Sequence, residues 1–145
     1  MQFLQKLSEI YEIFIFTASA FQYAEAIVDS LDPKKLYIDG ILSRDHCLQT
    51  KHGCYIKDLR IINNRDLKNM VIVDDLVHSF AFQINNGIPI LKWTNQKDDR
   101  ELKYLYKYLV KISGENDLRD ANKIFFNLEG LAQIPFEKIN NHLSE

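Results

Sequence analysis

The stretch Met70-Val-Ile-Val-Asp74-Asp75 decides how this chain is predicted to fold. Four consecutive apolar residues are typical of a strand that is buried on both faces of a sheet. The two carboxylates that follow would stand at the carboxyl end of this strand, where ligands and catalytic groups gather in open α/β sheets. Two adjacent like charges repel each other, and a divalent cation relieves that repulsion. The alternative is that Asp74 and Asp75 only cap a helix or form a turn.

Size and composition exclude several classes of protein. The chain has 145 residues, 46% hydrophobic and 12% aromatic, which indicates one compact domain with a substantial core. A net charge of -2 and a pI near 6.1 argue against phosphate-backbone binding, so we predict no direct nucleic-acid partner. No apolar run approaches the roughly 20 residues that span a bilayer, so we predict no membrane segment in this chain. The first residues lack the marks of a signal or transit peptide.

The two cysteines, Cys47 and Cys54, make neither a disulfide framework nor a complete zinc set. His46 and His52 lie nearby, so a Cys/His metal site is conceivable, but the spacing matches no established zinc pattern. We therefore expect a reduced, intracellular protein.

Helical and extended patterns alternate along the chain. Apolar residues at helical spacing predict helices over residues 3–11, 21–31 and 98–112, and residues 117–145 are also predicted to be helical. Apolar runs predict strands over residues 13–16, 36–42, 70–73 and 88–90, and a hairpin over residues 47–56. Shorter connections are predicted as a loop or short helix over residues 76–83 and a turn over residues 85–87. This alternation predicts an α/β fold in which helices cover a parallel sheet.

Polar groups follow three of the predicted strands: Thr17, Lys57 and the Asp74-Asp75 pair. A hydroxyl and the backbone amides after it can donate to phosphoryl oxygens, and a lysine can neutralise their charge. Carboxylates can hold Mg2+, which keeps waters and phosphate oxygens among its ligands. Each group also has a simpler explanation, since Thr17 can cap a helix and Lys57 can be solvated or pair with Asp58. Together, at strand ends that share one sheet edge, they favour a phosphate-binding site.

Nine motifs carry a resemblance to a known family. They are Ile13-Phe-Ile-Phe-Thr-Ala-Ser19, Tyr23-Ala24, Leu31-Asp-Pro33, Ser43-Arg44-Asp-His-Cys47, Tyr55-Ile-Lys-Asp-Leu59, Asp66-Leu67, Val71-Ile-Val-Asp-Asp75, Asn86-Gly-Ile-Pro-Ile90 and Trp93. In this order and spacing, from residue 3 to about 112, the chain resembles the small C-terminal-domain phosphatases. These are the NLI-interacting-factor-like family of the haloacid dehalogenase superfamily.

The resemblance implies a haloacid-dehalogenase-like Rossmannoid parallel sheet, flanked by helices and carrying a small β-hairpin insertion. It implies a phosphatase-like domain over residues 1–112, incomplete at its N-terminus. Residues 113–145 are then expected to be a C-terminal helical extension that packs on the same domain.

The resemblance also implies catalytic and metal-binding roles. Thr17 matches the second motif, whose hydroxyl binds the phosphoryl group. Lys57 matches the third-motif lysine, which steadies the phosphate and the aspartyl nucleophile. Asp75 matches the metal ligand of the fourth motif, and Asp74 beside it orients the lysine or a metal-bound water. Mg2+ is the cofactor that this family requires.

Substrate binding is implied in the same way. Thr17 and Ser19 would contact the phosphoryl group, and Arg44 matches an arginine near the substrate channel. The hairpin over residues 47–56 would belong to the insertion that shapes the peptide groove. Family members dephosphorylate phosphoserine or phosphothreonine, often on the RNA polymerase II tail, through an aspartyl-phosphate. The implied partner is a phosphoprotein or phosphopeptide.

One family motif is missing from the sequence. The first motif, Asp-X-Asp-X-Thr/Val, supplies the nucleophile and the general acid and base, and Asp29, Asp32 and Asp39 sit in the wrong contexts to replace it. Residues 1–11 match the helix just before the second motif, so the catalytic strand would lie upstream of residue 1. We therefore expect a chain truncated at its N-terminus relative to an active ancestor or full-length product. Alone it is expected to be inactive, with weak or absent Mg2+ binding.

The absent strand would sit in the middle of the sheet, between the strands that end at Thr17 and Asp75. Its loss is expected to expose hydrogen-bonding backbone and apolar faces.

A non-catalytic function is the main alternative. The same domain without working chemistry serves as a receptor subunit of the mitochondrial inner-membrane import machinery. The expected location is intracellular, nuclear or cytoplasmic, with the mitochondrial inner membrane as the alternative. A nucleotide-binding domain is disfavoured because the sequence has neither a Gly-X-Gly-X-X-Gly run nor a P-loop.

Overall fold

The protein is described by a computed structural model over residues 2–132, and the part of the predicted C-terminal helix beyond residue 132 lies outside the described residues. The helices of this part are α1 (Gln2–Leu7), α2 (Phe21–Leu31), α3 (Glu101–Ile112), α4 (Leu118–Phe126) and α5 (Leu128–Ala132). The strands are β1 (Phe14–Phe16), β2 (Gly40–Leu42), β3 (Leu48–Gln49), β4 (Tyr55–Ile56), β5 (Ile72–Asp74) and β6 (Gly87–Pro89). Short 3-10 segments connect them at Arg44–His46, Leu59–Ile61, Leu67–Asn69 and Val77–Asn86.

The strands form three separate pairs rather than one continuous sheet. Strand β1 pairs in parallel with β2, and β5 pairs in parallel with β6. The short antiparallel pair of β3 and β4 is the predicted hairpin, and Gly53 at its tip has a φ of 83°. The predicted α/β class with parallel pairing and flanking helices is confirmed, but among the described residues the two parallel pairs are not joined.

Helix α2 matches its predicted range, whereas other boundaries differ. Helix α1 ends at Leu7 rather than at residue 11, and α3 begins at Glu101 rather than at residue 98. The predicted turn over residues 85–87 is wrong, because a 3-10 segment runs to Asn86 and β6 begins at Gly87. The Asn86 amide holds this junction by donating to the carbonyls of Leu67 and Met70, at 2.6 and 2.8 Å.

The predicted strand over residues 36–42 forms only from Gly40 onward. The buried Asp32 carboxylate accepts hydrogen bonds from the backbone N–H groups of Leu36, Tyr37 and Ile38, at 2.7 to 2.9 Å. Burial alone would raise the pKa of Asp32, but these three amides lower it. Because these amides bind a side chain, they are not available for a strand ladder.

Two apolar clusters hold the elements together. The first cluster joins Leu7 of α1 to Leu105 and Leu109 of α3, and it includes Leu118 of α4. The second cluster surrounds the fully buried Phe80 with residues that include Leu59, Ile72 and Leu128. Among the described residues, no helix has the length and apolar character needed to cross a bilayer.

Strand β5 is less covered than its apolar sequence predicts. Ile72 is buried, but Val71 and Val73 are only partly buried, so burial on both faces is incomplete. The cause is a cleft of about 640 Å³ between β1 and β5, which we call the β1–β5 cleft. Its lining includes Phe14–Phe16 on one side and Val71–Val73 on the other.

Candidate functional site

A buried ion pair between Lys57 and Asp74 is the centre of the candidate site. The Lys57 Nζ contacts Asp74 Oδ2, and the two side chains are only 14% and 7% exposed. Burial would raise the pKa of Asp74, but the hydrogen bond from Lys57 and the Leu76 backbone N–H together lower it. Asp74 is therefore ionised at neutral pH. Lys57 is thus neither a solvated charge nor a partner of the neighbouring Asp58.

The backbone around Lys57 is held by the segment that follows β5. The Lys57 N–H donates to the Ser79 carbonyl at 2.6 Å. The buried Gln83 amide accepts from the Leu59 N–H and donates to Asp58 Oδ1, both at 3.0 Å. This clamp aligns the residue after β4 with the carboxyl end of β5. The ion pair therefore depends on backbone contacts as well as on charge.

The Asp58 carboxylate pairs with a different cation, Arg60. The Arg60 guanidinium and backbone N–H both donate to the Asp58 carboxylate, which lowers the pKa of Asp58 to about 2. Asp58 also accepts from the Gln83 amide. Asp58 consequently supports the turn after Lys57 and does not compete with Asp74.

Thr17 holds the turn that follows β1. Its backbone N–H donates to the Leu42 carbonyl at 2.8 Å, and its Oγ1 accepts from the Ser19 N–H at 3.1 Å. The N-cap residue of α2 is Ala20, which makes no side-chain capping bond. The alternative role for Thr17 as a helix cap is therefore not observed, and its hydroxyl orders the loop instead.

Arg44 folds back over this loop. Its Nε donates to the Ala18 carbonyl at 2.7 Å, and its backbone N–H donates to the Ser19 carbonyl at 2.9 Å. The guanidinium also lies 5.5 Å from the centroid of the Tyr55 ring. These contacts place an exposed cation at the rim of the Thr17 loop.

Cys47 is hydrogen-bonded to the Thr17 loop. Its Sγ donates to the Thr17 carbonyl at 3.7 Å. Burial raises the pKa of the Cys47 thiol, while the positive charges of Lys57 and Arg44 act in the opposite direction. The charges of Lys57 and Asp74, at the carboxyl end of β5, both act on the pKa of this thiol. Asp75 is exposed at the same strand end.

The carboxylates supply only part of a magnesium site. Lys57 already neutralises Asp74, which also accepts from the Leu76 N–H at 2.8 Å. Within residues 2–132, no group of three or more His, Cys, Asp or Glu side chains could hold a metal ion. Asp75 with Asp74 therefore fits Mg2+ as a partial ligand set that waters or phosphate oxygens must complete.

Sequence reasoning missed three residues that shape the site. Ser79 and Gln83 fix the backbone around Lys57, and the Cys47 thiol donates to the Thr17 carbonyl. Residue spacing gives no signal for Ser79 or Gln83, because both act across sequence gaps of more than 20 residues on groups of the backbone. The Ser79 hydroxyl is buried and has no hydrogen-bond partner among the described residues.

Comparisons with known proteins define the class of this fold and site. A solved structure of the fission yeast RNA polymerase II CTD phosphatase Fcp1, bound to beryllium fluoride, matches 98% of this chain and 37% of that chain. The TM-score is 0.54 at 26% sequence identity. The fold is that of the haloacid dehalogenase superfamily.

Residues 1–119 match the family described as NLI interacting factor-like phosphatase, and the chain belongs to this family. It is 40% identical over 138 residues to the CTD small phosphatase-like protein 3 of Caenorhabditis elegans. It is 42% identical over 127 residues to the CTD small phosphatase-like protein 2 of Dictyostelium discoideum. The mitochondrial import inner membrane translocase subunit TIM50 of Kluyveromyces lactis is 41% identical over 138 residues.

These matches cover most of this chain but a minor part of each relative. The alignments include 94%, 88% and 94% of the chain, and 47%, 22% and 28% of the three relatives' lengths. The resemblance to the phosphatase family is confirmed.

Proposed function

We propose that this chain carries the phosphate-binding and lysine part of a Mg2+-dependent protein phosphoserine/phosphothreonine phosphatase. The observation that carries the proposal is the buried Lys57–Asp74 pair at the carboxyl end of β5. A lysine held at such a position can stabilise charge on a phosphoryl group. The family membership of the chain supports the same chemistry.

The proposed roles follow from where each group stands. The Thr17 loop, with Ser19, would donate to phosphoryl oxygens, and Lys57 would neutralise them. Asp74 would keep the Lys57 ammonium in place, since its carboxylate is ionised and in contact. Asp75 would ligate Mg2+. The substrate is a phosphoprotein, and the exposed Arg44 at the rim would contact it.

The chain alone is expected to be inactive, because its sequence contains no Asp-X-Asp to provide a nucleophile. A longer protein that places Asp-X-Asp-X-Thr/Val in an extended segment ahead of residue 1 should release phosphate from p-nitrophenyl phosphate in Mg2+. The 145-residue chain should not.

One variant of the longer protein and a matched control test the proposed metal-binding role of Asp75. Asp75→Ala should abolish release, whereas Asp120→Ala, at an exposed carboxylate of α4, should leave it intact. Release by the Asp75→Ala variant at the parent rate would refute the proposed metal position.

Magnesium binding by the chain itself should be weak. Of the two carboxylates, Asp74 is already paired with Lys57, which leaves Asp75 as the main ligand. We therefore expect a dissociation constant on the order of 1 mM or weaker. Isothermal titration calorimetry with MgCl2 measures it, with Asp75→Ala as the matched loss-of-ligand control. Micromolar binding, or binding unchanged in Asp75→Ala, would show that Mg2+ is held elsewhere.

A non-catalytic binding role is the second candidate. The observation that favours it is the 41% identity to a mitochondrial import translocase subunit. Under this proposal the domain binds a polypeptide without hydrolysis, and the location is the mitochondrial inner membrane. The phosphatase proposal corresponds to a nuclear or cytoplasmic location, and fractionation of cells expressing the tagged full-length protein distinguishes the two.

A further inference from the structure

The Thr17 loop is held from one side by the turn over residues 43–47, which we call the 43–47 turn. Three successive carbonyls of the loop accept hydrogen bonds from this turn: that of Thr17 from the Cys47 thiol at 3.7 Å, that of Ala18 from Arg44 Nε at 2.7 Å, and that of Ser19 from the Arg44 N–H at 2.9 Å. The C=O and N–H of a trans peptide unit point in opposite directions, so the N–H groups that follow these carbonyls point away from the turn. The 43–47 turn therefore orients the backbone donors of the loop.

His46 closes the 43–47 turn by accepting a hydrogen bond from its first residue. The Ser43 N–H donates to His46 Nδ1 at 3.1 Å, and Ser43 Oγ lies 3.4 Å from the same ring nitrogen. The His46 N–H donates to the Ser43 carbonyl at 2.9 Å. Ser43 is only 1% exposed, so its N–H has no access to water as a substitute partner. The imidazole thus takes the place that Glu or Gln usually takes at the third residue of a capping box.

This contact between Ser43 and His46 requires a neutral imidazole. A backbone N–H can only donate, so His46 Nδ1 carries no proton and the ring proton of the neutral form is on Nε2. In the charged form both ring nitrogens carry protons, and neither can accept. Protonation would therefore place two donors against each other, and the buried Ser43 N–H would lose its partner.

Few titratable groups surround the 43–47 turn. Residues 17–20 of the Thr17 loop contribute none. The charged and titratable groups are Arg44, Asp45 and Cys47 of the turn itself, Tyr55 beneath the Arg44 guanidinium, and Lys57 and Asp74, whose charges act on Cys47. None of the ion pairs formed by the described residues includes His46. Because the His46 side chain is exposed, its ring exchanges protons with the solvent.

We propose that His46 is a positioning residue of the candidate site, whose neutral imidazole holds the 43–47 turn against the Thr17 loop and whose protonation releases that loop. Histidine is the side chain that commonly changes its charge between pH 8 and pH 5. The turn is therefore held at the higher pH and loosened as the pH falls. The effect of this change on phosphate binding rests on the proposed function, but the contact between Ser43 and His46 does not.

NMR of the 145-residue chain tests the contact without any activity measurement. Long-range 15N–1H correlation at pH 8 should show neutral His46 as the Nε2–H tautomer. The protection factors of the Ser43 and Arg44 amides should fall by about tenfold or more between pH 8 and pH 5, because both bonds depend on the turn. The fall should follow the titration of the His46 ring, read in the same samples. The Lys57 amide, which donates to the Ser79 carbonyl, is the internal control and should change little.

Three variants separate this role from simple packing. His46→Gln should keep the protection of the Arg44 amide at pH 8 and retain it at pH 5, because Gln accepts at the third residue of a capping box and does not titrate. His46→Ala should lose about tenfold in protection at both pH values, because it offers no acceptor. His52→Gln, at an exposed position in the hairpin loop, is the matched control and should depend on pH as the parent does.

Phosphate release by the longer protein carries the test to the proposed function. With p-nitrophenyl phosphate in Mg2+, kcat/KM of the parent relative to His46→Gln should fall by about tenfold between pH 8 and pH 5. This ratio cancels the other titrating groups, and the change should lie mainly in KM, because the loop binds the phosphoryl group. Absence of release from every form of the longer protein would contradict the proposed function, and amide protection would still decide the role of His46.

Three results would overturn the proposal. The first is an Nδ1–H tautomer for neutral His46, which could not accept from the Ser43 N–H. The second is protection of the Arg44 amide that stays constant while the His46 ring titrates. The third is a loss of protection at pH 5 in His46→Gln that equals the loss in the parent chain.

Discussion

Replacing Lys57 with Met is expected to lower the free energy of unfolding by about 3 kcal/mol at pH 7. Lys57 and Asp74 are both largely buried, so removing the ammonium leaves an uncompensated carboxylate next to the apolar interior. The Leu76 N–H remains as a hydrogen-bond donor to Asp74, but it carries no net charge. Loss of one partner from a buried pair costs more than the pair contributes, because the remaining charge keeps its desolvation penalty.

The loss should depend on pH in a definite direction. In the parent protein, the pKa of Asp74 is lowered below its ordinary value of 3.8, so its stabilising contribution is present above that value and is lost as pH falls through the lowered pKa. Burial raises the pKa of Asp74, and without the hydrogen bond and charge of Lys57 fewer groups counteract this effect. The pKa of Asp74 therefore rises in the variant. The stability difference between the variant and the parent should therefore be full at neutral pH. It should shrink as the pH falls through the raised pKa and Asp74 takes up a proton.

Urea unfolding of both proteins between pH 3 and pH 7 measures this difference. Lys68→Met is the matched control, because Lys68 and its partner Asp66 are 48% and 58% exposed and the pair should contribute little. The double variant Lys57→Met with Asp74→Asn should be more stable than the sum of the single losses predicts, by about 1 kcal/mol or more. A Lys57→Met variant as stable as Lys68→Met at pH 7 would contradict the buried pair.

Gly87→Ala is expected to cost about 3 kcal/mol, because a methyl group at this position would overlap the ring of Phe80. Phe80 is fully buried within the second cluster, so its ring cannot turn into solvent to avoid the methyl group. The backbone of Gly87 has a φ of -79°, which any residue adopts, so the cost is steric. The clash would separate β6 from the Val77–Asn86 segment, which also supports Lys57.

Thermal and urea unfolding of three variants test this expectation. Gly114→Ala is the control, since no atom lies within 4 Å of a methyl group there. Phe80→Leu alone should destabilise by about 1 to 2 kcal/mol through a cavity. Combined with Gly87→Ala it should recover part of the loss, because the smaller side chain leaves room for the methyl. Additive losses in the double variant would show that Gly87 and Phe80 do not compete for space.

Local patterns predicted most elements but not their partners. Helix α2 and the hairpin followed from residue spacing and turn residues, because these signals act over a few neighbouring residues. The predicted strand over residues 36–42 forms only from Gly40, because the Asp32 carboxylate accepts hydrogen bonds from the backbone N–H groups of residues 36–38. The local sequence pattern does not distinguish a carboxylate that only ends a helix from one that also accepts hydrogen bonds from backbone N–H groups a few residues later.

In the candidate site too, local sequence predicted the residues but not the contacts between them. Residue types at strand ends singled out Thr17, Lys57 and the Asp74-Asp75 pair, and the structure brings Lys57 and Asp74 into direct contact. Which carboxylate Lys57 meets was not predictable from adjacency, since Asp58 is its neighbour in sequence but is held by Arg60. The Ser79 and Gln83 contacts that set this choice come from a distant segment.

The sequence by itself determined the family, the α/β class and the residues at the ends of the strands, because apolar runs and motif order are properties of neighbouring positions. Only the tertiary structure decided that Lys57 pairs with Asp74, that Asp32 shortens β2, and that β1 and β5 face each other across an open cleft. These depend on which distant backbone groups and charges come within a few ångströms of each other. Hydrogen bonds and desolvation act only at that range.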